Sequence, residues 1–283
     1  MQEVKIAPSD EKGKRAFEDA ANNDQGGRET PECDAGEKEV RDVKYKAFFS
    51  LPRDKHNARG LGGKGKVHGV CTLIRDDVLP MQETKEAPWD LEGRVLITEF
   101  LRLKLVVING YWVNGTMNPY RDPESGEVVG TRHDRKRAFH SSMVEEVKAW
   151  ERKGCGVVLV GDMNVAPQAL DGYPGIRSGA EHVRNRRDFN EKFLDVENKE
   201  GMRGIDVWRY LRGTERGYTY HGENEEEWGR SCDRVDLAIV NQGIVGHLMT
   251  MTIWEDVVNR GGSDHCPVTL WVDFTRLGGD SRE

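Results

Sequence analysis

Residues 157 to 172 read "VVLVGDMNVAPQALDG", an apolar run that stops in Gly161 and Asp162 and reaches Asn164 two residues later. Val157, Val158, Leu159 and Val160 are mostly β-branched and carry no polar break, the pattern of a short strand buried on both faces. Strands of α/β proteins open at their carboxyl ends onto the ligand crevice, so an acid and an amide at this point are candidates for chemistry. Asp162 and Asn164 share a face if the extended geometry continues. The same two residue types also suit the opening of a simple turn, and the segment alone leaves both readings open.

On either side of this strand the chain alternates strand and helix signals. The runs "YKAFFS" (45–50), "VHGVCTLI" (67–74), "RVLITEF" (94–100), "KLVVING" (104–110), "VDLAIV" (235–240) and "PVTLWVDF" (267–274) are β-rich and bounded by turn residues. A helix is expected from Asp134 to Arg152, where Phe139, Met143, Val147 and Trp150 fall on one face, and a second near 181–195. This order predicts a layered α/β domain over residues 1–274, followed by a polar tail at 275–283. The stretch 21–42 is polar and charged with almost nothing to bury, and is expected to be a disordered insertion. "RDKHNARGLGGKGK" (53–66) reads as a flexible basic loop.

The bulk composition narrows the function class. With 42 basic against 49 acidic residues the net charge is −7, so nucleic acid would have to meet a local basic patch. The five cysteines (Cys33, Cys71, Cys155, Cys232, Cys266) are scattered without a CxxC pair, which argues against a disulfide framework or a thiolate zinc site. No run approaches the roughly 20 apolar residues that span a bilayer, and no signal peptide is visible. An intracellular, membrane-free monomer is expected.

Further polar clusters lie at the ends of apolar segments: Glu3, Tyr111 with Asn114, Asp236, and Asp264 with His265. Singly, each fits a turn, a backbone-bonded acid or a satisfied core histidine. Together they have a common logic. Carboxylates suit Mg²⁺, an imidazole paired to an acid can stabilise a phosphoryl oxygen, and amides and a phenol donate to phosphate oxygens.

The segments "QEVK", "EGRVLITEF", "GYWVNG", "GDMNVAPQALD", "DRVDLAIV" and "SDHCPV", in this order, resemble the endonuclease/exonuclease/phosphatase superfamily, and within it the exonuclease III type of apurinic/apyrimidinic endonucleases. The resemblance implies a four-layered α/β sandwich of two packed mixed sheets flanked by helices. It also implies Mg²⁺-dependent (or Mn²⁺-dependent) hydrolysis of DNA phosphodiesters at abasic sites in base-excision repair, with 3′-end trimming, and a nuclear location. Carried over, Glu3 and Asp264 are metal ligands. Asp162 handles the attacking water, and Asn164 orients water or phosphate. His265, held by Asp236, contacts the scissile phosphate. Tyr111 and Asn114 contact phosphate, and Arg234 belongs to the substrate-binding "R-x-D" motif. The alternatives are a related phosphodiesterase acting on RNA or a small phosphorylated substrate, and a truncated, non-catalytic DNA-binding remnant.

The sequence departs from the family pattern in two places. The family's opening segment, with an Asn-bearing strand, has no counterpart here, because the chain starts inside the second motif; truncation is the expected reason. "LPMQETKE" (79–86) imitates that motif but lies too close to "EGRV", so Glu83 is expected in a solvated loop. Where abasic-site enzymes place an aromatic before the Arg of "R-x-D", this chain has Asp233, with Tyr220 or Trp228 as candidate substitutes. Three basic segments, 53–66, 131–137 and 184–187, are candidates for phosphate contacts along a duplex, or simply solvated faces.

Overall fold

The structure, a computed structural model, describes residues 1, 4–23, 44–57, 68–78, 81–222 and 231–275. In chain order, α1 (Glu11–Asn23) precedes an antiparallel ribbon of β1 (Tyr45–Ser50) and β2 (Val70–Arg75). An antiparallel run follows, β3 (Gln82–Glu86), β4 (Val95–Phe100) and β5 (Leu105–Tyr111). The small hairpin β6 (Pro119–Arg121) and β7 (Val128–Thr131) leads into α2 (Arg132–Arg152), and β8 (Gly156–Asp162) returns parallel to β5. The rest comprises β9 (Gly172–Tyr173), α3 (Ala180–Phe193), β10 (Ile205–Asp206), α4 (Val207–Arg212), β11 (Tyr220–His221), β12 (Cys232–Asp233), β13 (Asp236–Val240), α5 (Gln242–Val245), β14 (Leu248–Ile253), α6 (Val257–Arg260) and β15 (Val268–Val272).

The central sheet has six strands in the order β10-β13-β8-β5-β4-β3, and it is mixed because β5 and β8 run parallel. Successive residues of β8 serve opposite faces. Val157 and Leu159 enter one core with Phe139, Met143, Val147 and Trp150 of α2, while Val158 enters a second core with Trp208, Ile244 and Met251. This is the doubly buried strand that the apolar run predicts. On the helix side Trp112 is the hub, with ring centroids 5.5 Å from Phe139, 5.5 Å from Phe189 and 5.0 Å from Phe193. Such tilted and edge-on aromatic pairs fix α2 and α3 against the sheet. Thr131 and Asp134 close a reciprocal capping box, so α2 begins two residues before its expected start.

The α/β class and the layered arrangement agree with expectation, and a second strand layer packs on the six-stranded sheet. Among the described residues it consists of two separate antiparallel ribbons, β1–β2 and β14–β15, lying on the opposite face from α2 and α3. α1 covers the first ribbon, with Phe17 edge-on to Phe49 at 5.7 Å. Between the ribbons runs a slot of about 730 Å³, bounded by Thr72 and Leu73 on one side and Val268 and Leu270 on the other, with Val107, Val160 and Ala238 on its floor.

Other expectations are corrected. Ala21 to Asn23, the first residues of the supposed disordered insertion, end α1, and the Asn22 side chain exchanges hydrogen bonds with the Tyr45 backbone at 2.7 and 3.1 Å. Residues 24–43 lie outside the described residues, as does the tail from 276. Glu83 is solvent-exposed as expected, yet it sits in β3 opposite Glu99 and not in a loop. No helix among the described residues is long and apolar enough to cross a membrane.

Candidate active site

Three neighbouring strands end level with one another. Tyr111 of β5 pairs in register with Asp162 of β8, and Asp162 pairs with Asp236 of β13. The ladder alone therefore brings a phenol and two acids to one sheet edge. Beyond Asp162 the chain does not stay extended: Asn164 takes a left-handed φ of 52°. Its backbone N–H donates to Asp162 Oδ1 at 2.8 Å, and its side-chain amide donates to Asp162 Oδ2 at 2.9 Å and to the Trp112 carbonyl at 3.0 Å. The structure follows the turn reading: the extended geometry that would have put both side chains on one face ends at Asp162, and the turn itself folds Asn164 back onto it.

His265 enters from the loop before β15. Its Nδ1 lies 2.7 Å from Asp236 Oδ2, and its ring centroid lies 5.1 Å from that of Tyr220. Asp236 is itself oriented by Thr219, whose Oγ1 accepts the backbone N–H groups of Val235 at 3.0 Å and Asp236 at 2.9 Å.

These groups border a pocket of about 200 Å³. Tyr111, Asn114, Asp162, Asn164, Asp264 and His265 all line it, and Asp236 stands behind His265. Two candidates do not join them. Arg234 is fully buried, its guanidinium taken up by Asp171 at 2.8 Å and by Asp206 at 2.5 and 3.1 Å. It is a structural cation, so its assignment to substrate binding is corrected. Glu3 lies outside the described residues, as does Trp228. The basic segment 131–137 is likewise largely committed. Arg132 and Arg135 each bind Glu92 at 2.7 Å, and Arg137 binds Glu181 at 2.8 Å.

Sequence reasoning missed Lys136. It is 1 % exposed, and its Nζ donates to the carbonyls of Val113 at 2.9 Å, Asn164 at 3.0 Å and Met163 at 3.3 Å. One ammonium thereby joins the turn that presents Asn114 to the turn that presents Asn164. A lysine on the apolar stripe of α2, three residues before Phe139, was the available signal. Arg177, His182 and Arg186 also line the pocket, and of the arginines in the "RNRR" run only Arg186 faces it, beside Asn185.

The electrostatics are uneven. Burial, and then the charge of Asp236, raise the Asp162 carboxyl to about 7, against the pull of His265, the Asn164 N–H and Lys136. For His265 burial favours the neutral ring, but the hydrogen bond and charge of Asp236, with the charges of Asp162 and Asp264, outweigh it and lift the imidazolium to about 9. Burial lowers Lys136 to about 7 in spite of the nearby Asp162. The oxygen donors here are hard and suit Mg²⁺. Among the described residues no three His, Cys, Asp or Glu side chains are placed to share an ion, so Asp264 would need Glu3 or further oxygens beside it.

No family model matches the chain. Curated relatives do, among them an exodeoxyribonuclease of Bacillus subtilis, 26 % identical over 188 residues (65 % of this chain), and a DNA-(apurinic or apyrimidinic site) endonuclease of Arabidopsis thaliana, 23 % identical over 257 residues (82 % of this chain). The chain spans 66 and 67 % of their respective lengths. Among solved structures, the 3′–5′ exonuclease NExo of Neisseria meningitidis superposes with a TM-score of 0.60 at 19 % identity, covering 96 % of this chain and 87 % of that one. A second Neisseria NExo structure, described as a 3′ phosphatase bound to a product DNA hairpin, gives a TM-score of 0.59 at 18 % identity with the same coverage.

Proposed function

We propose that this chain, whose sequence relatives and structural neighbours are exonuclease III-type AP endonucleases and 3′–5′ exonucleases of the endonuclease/exonuclease/phosphatase superfamily, hydrolyses phosphodiester bonds in DNA. The observation that carries this reading is the pocket in which the Asp162–Asn164 pair faces the His265–Asp236 pair.

In this reading the Asp162 carboxylate accepts the proton of the attacking water, for which a value of about 7 is well matched to neutral pH. Asn164, whose carboxamide is held by Asp162 and the Trp112 carbonyl, aligns that water. His265, kept as imidazolium by Asp236, donates to a non-bridging phosphate oxygen and stabilises the charge that grows there. The Tyr111 hydroxyl and the Asn114 amide add neutral donors to the same phosphate. Mg²⁺ or Mn²⁺, held by Asp264 and Glu3, would supply further charge neutralisation when bound.

The substrate proposed is duplex DNA with an abasic site, in base-excision repair, and the nuclear location expected from the sequence stands with that substrate. Trimming of blocked 3′ ends is the second reading. It is favoured by the polar lining of the pocket, to which Asp233 and Arg177 contribute. The test is cleavage of a duplex carrying one abasic-site analogue, beside a 3′-phosphate duplex and an RNA strand, with Mg²⁺ and with EDTA. Metal-dependent DNA cutting that falls at least about 1,000-fold in Asp162→Asn supports the proposal. A folded protein that leaves both DNA substrates intact, or cuts only RNA, refutes it.

A further inference from the structure

The pocket lining is chemically mixed. Asp162, Asp264 and His265 contribute to it, and so do the two arginines Arg177 and Arg186. Most arginines around this region are already neutralised at close range. Arg94, Arg132 and Arg135 share Glu92 at 2.7 to 3.0 Å, Arg184 binds Glu181 at 2.7 Å, and Arg187 binds Glu191 at 2.7 Å. Arg186 makes no ion pair within 4.0 Å among the described residues, and the carboxylate whose charge acts on it is that of Asp233. Its guanidinium is instead fixed by two backbone carbonyls, Nε donating to Ala166 at 3.1 Å and an Nη donating to Arg177 at 2.5 Å. Arg177 reaches a carboxylate only at 3.9 Å, at Asp233, with half of its side chain exposed. Burial raises the Asp233 carboxyl, which weakens it further as a competitor for that cation.

The position of this pair matters as much as its charge. Ala166 follows Asn164 by two residues, so the carbonyl that fixes Arg186 belongs to the same turn that presents the catalytic amide. The Arg186 guanidinium is therefore tied to the turn that carries Asn164. A planar fork already held on one edge suits a phosphate on its other edge, with little ordering left to do on binding. A nucleic-acid strand presents a phosphate at every nucleotide, so a strand with its scissile phosphate at His265 brings a neighbouring phosphate towards these arginines.

We propose that Arg177 and Arg186 form a second phosphate subsite, which takes the phosphate adjoining the scissile one on the same strand. This rests on the phosphodiesterase reading for its register. Its ligand chemistry, a strand phosphate, does not depend on catalysis. The subsite makes the enzyme grip two consecutive phosphates, so that position along the strand is set by charge and not by the base or sugar between them.

The experiment replaces single phosphates of an oligonucleotide duplex, one at a time, by neutral methylphosphonate. Binding is measured by fluorescence anisotropy in EDTA and cleavage in Mg²⁺, for the wild type, Arg177→Gln, Arg186→Gln and the double variant. Neutralising the adjoining phosphate is expected to weaken wild-type binding about 10-fold or more and to raise KM with little change in kcat. In the double variant the same replacement is expected to have almost no further effect, because the interaction is already gone. If the double variant keeps the full sensitivity, or the wild type has none at that position, the subsite is refuted. Arg177→Gln leaves the Arg186 clamp on Ala166 in place, so it reads the subsite even if Arg186→Gln loosens the turn. Phosphate-dependent binding without cleavage of any DNA would keep the subsite and reject the hydrolase reading. Cleavage without phosphate dependence would do the reverse.

Discussion

Asp162 is 5 % exposed, and its ladder partner across the sheet is Asp236, so the fold holds one carboxylate against another with little water to screen them. Its folded value of about 7 lies above the ordinary 3.8. A raised carboxyl stabilises the fold most when protonated, so this contribution falls as pH climbs from about 4 through 7 and stays low above. Asp162→Asn is therefore expected to raise stability at pH 8, on the order of 2–4 kcal/mol in denaturant melts, while abolishing cleavage. His265 has the opposite sign. Its imidazolium, raised to about 9, adds stability below the unfolded value of 6.5 and loses it as pH rises through 9. With Asp162 deprotonated and His265 protonated in the active form, kcat/KM should rise through about pH 7 and fall through about pH 9. Asp236→Asn should move the alkaline limb down towards an ordinary histidine, which a pH–rate profile would show. Lys136→Met should leave three buried carbonyls without their donor. A loss of about 2–4 kcal/mol is expected, with an acid limb shifted upward because Asp162 no longer faces that cation.

Elements, unlike residues, are fixed by partners far away in sequence. Arg234 in the link between β12 and β13 ties the Asp171 turn to Asp206, which also caps α4, and Arg209 of α4 joins the same Asp171. Replacing Arg234 by Met would leave Asp206 buried without its guanidinium and Asp171 with Arg209 alone, a cost of about 3–5 kcal/mol visible in melting temperature, whereas a substrate contact would show first in KM. This cluster also shows where the sequence stops being readable. β8 and the Asp162–Asn164 turn are legible because a dense apolar run and its polar stop lie within eight residues, 157 to 164. The α2 stripe is legible for the same local reason. Arg234 misleads because its partners lie 63 and 28 residues away, and nothing local separates a buried ion pair from a substrate contact. β3 escapes notice because "QETKE" offers no apolar side to a core. α1 escapes too, since none of its residues is buried. Arg186 is hidden among like charges, of which only it turns inward.

At the scale of the molecule, one side of the central sheet is continuous with helices and an aromatic hub, and the other is covered by two ribbons with a slot between them. The catalytic groups divide along this line. Tyr111, Asp162 and Asp236 belong to the six-stranded sheet, while His265 lies in the lead-in to β15, bridged to Tyr220, and the only ladder partner of β15 among the described residues is β14. A two-stranded ribbon has little stability of its own. Amide hydrogen exchange in β15 is therefore expected to run at least about tenfold faster than in β8, and equal rates would show the ribbon to be fastened as firmly as the sheet. The chemistry then has a weaker hinge than the fold. On warming, the imidazole should drift out of range of its partners while the sheet is still intact, so that activity fades at a temperature where calorimetry still records a native molecule.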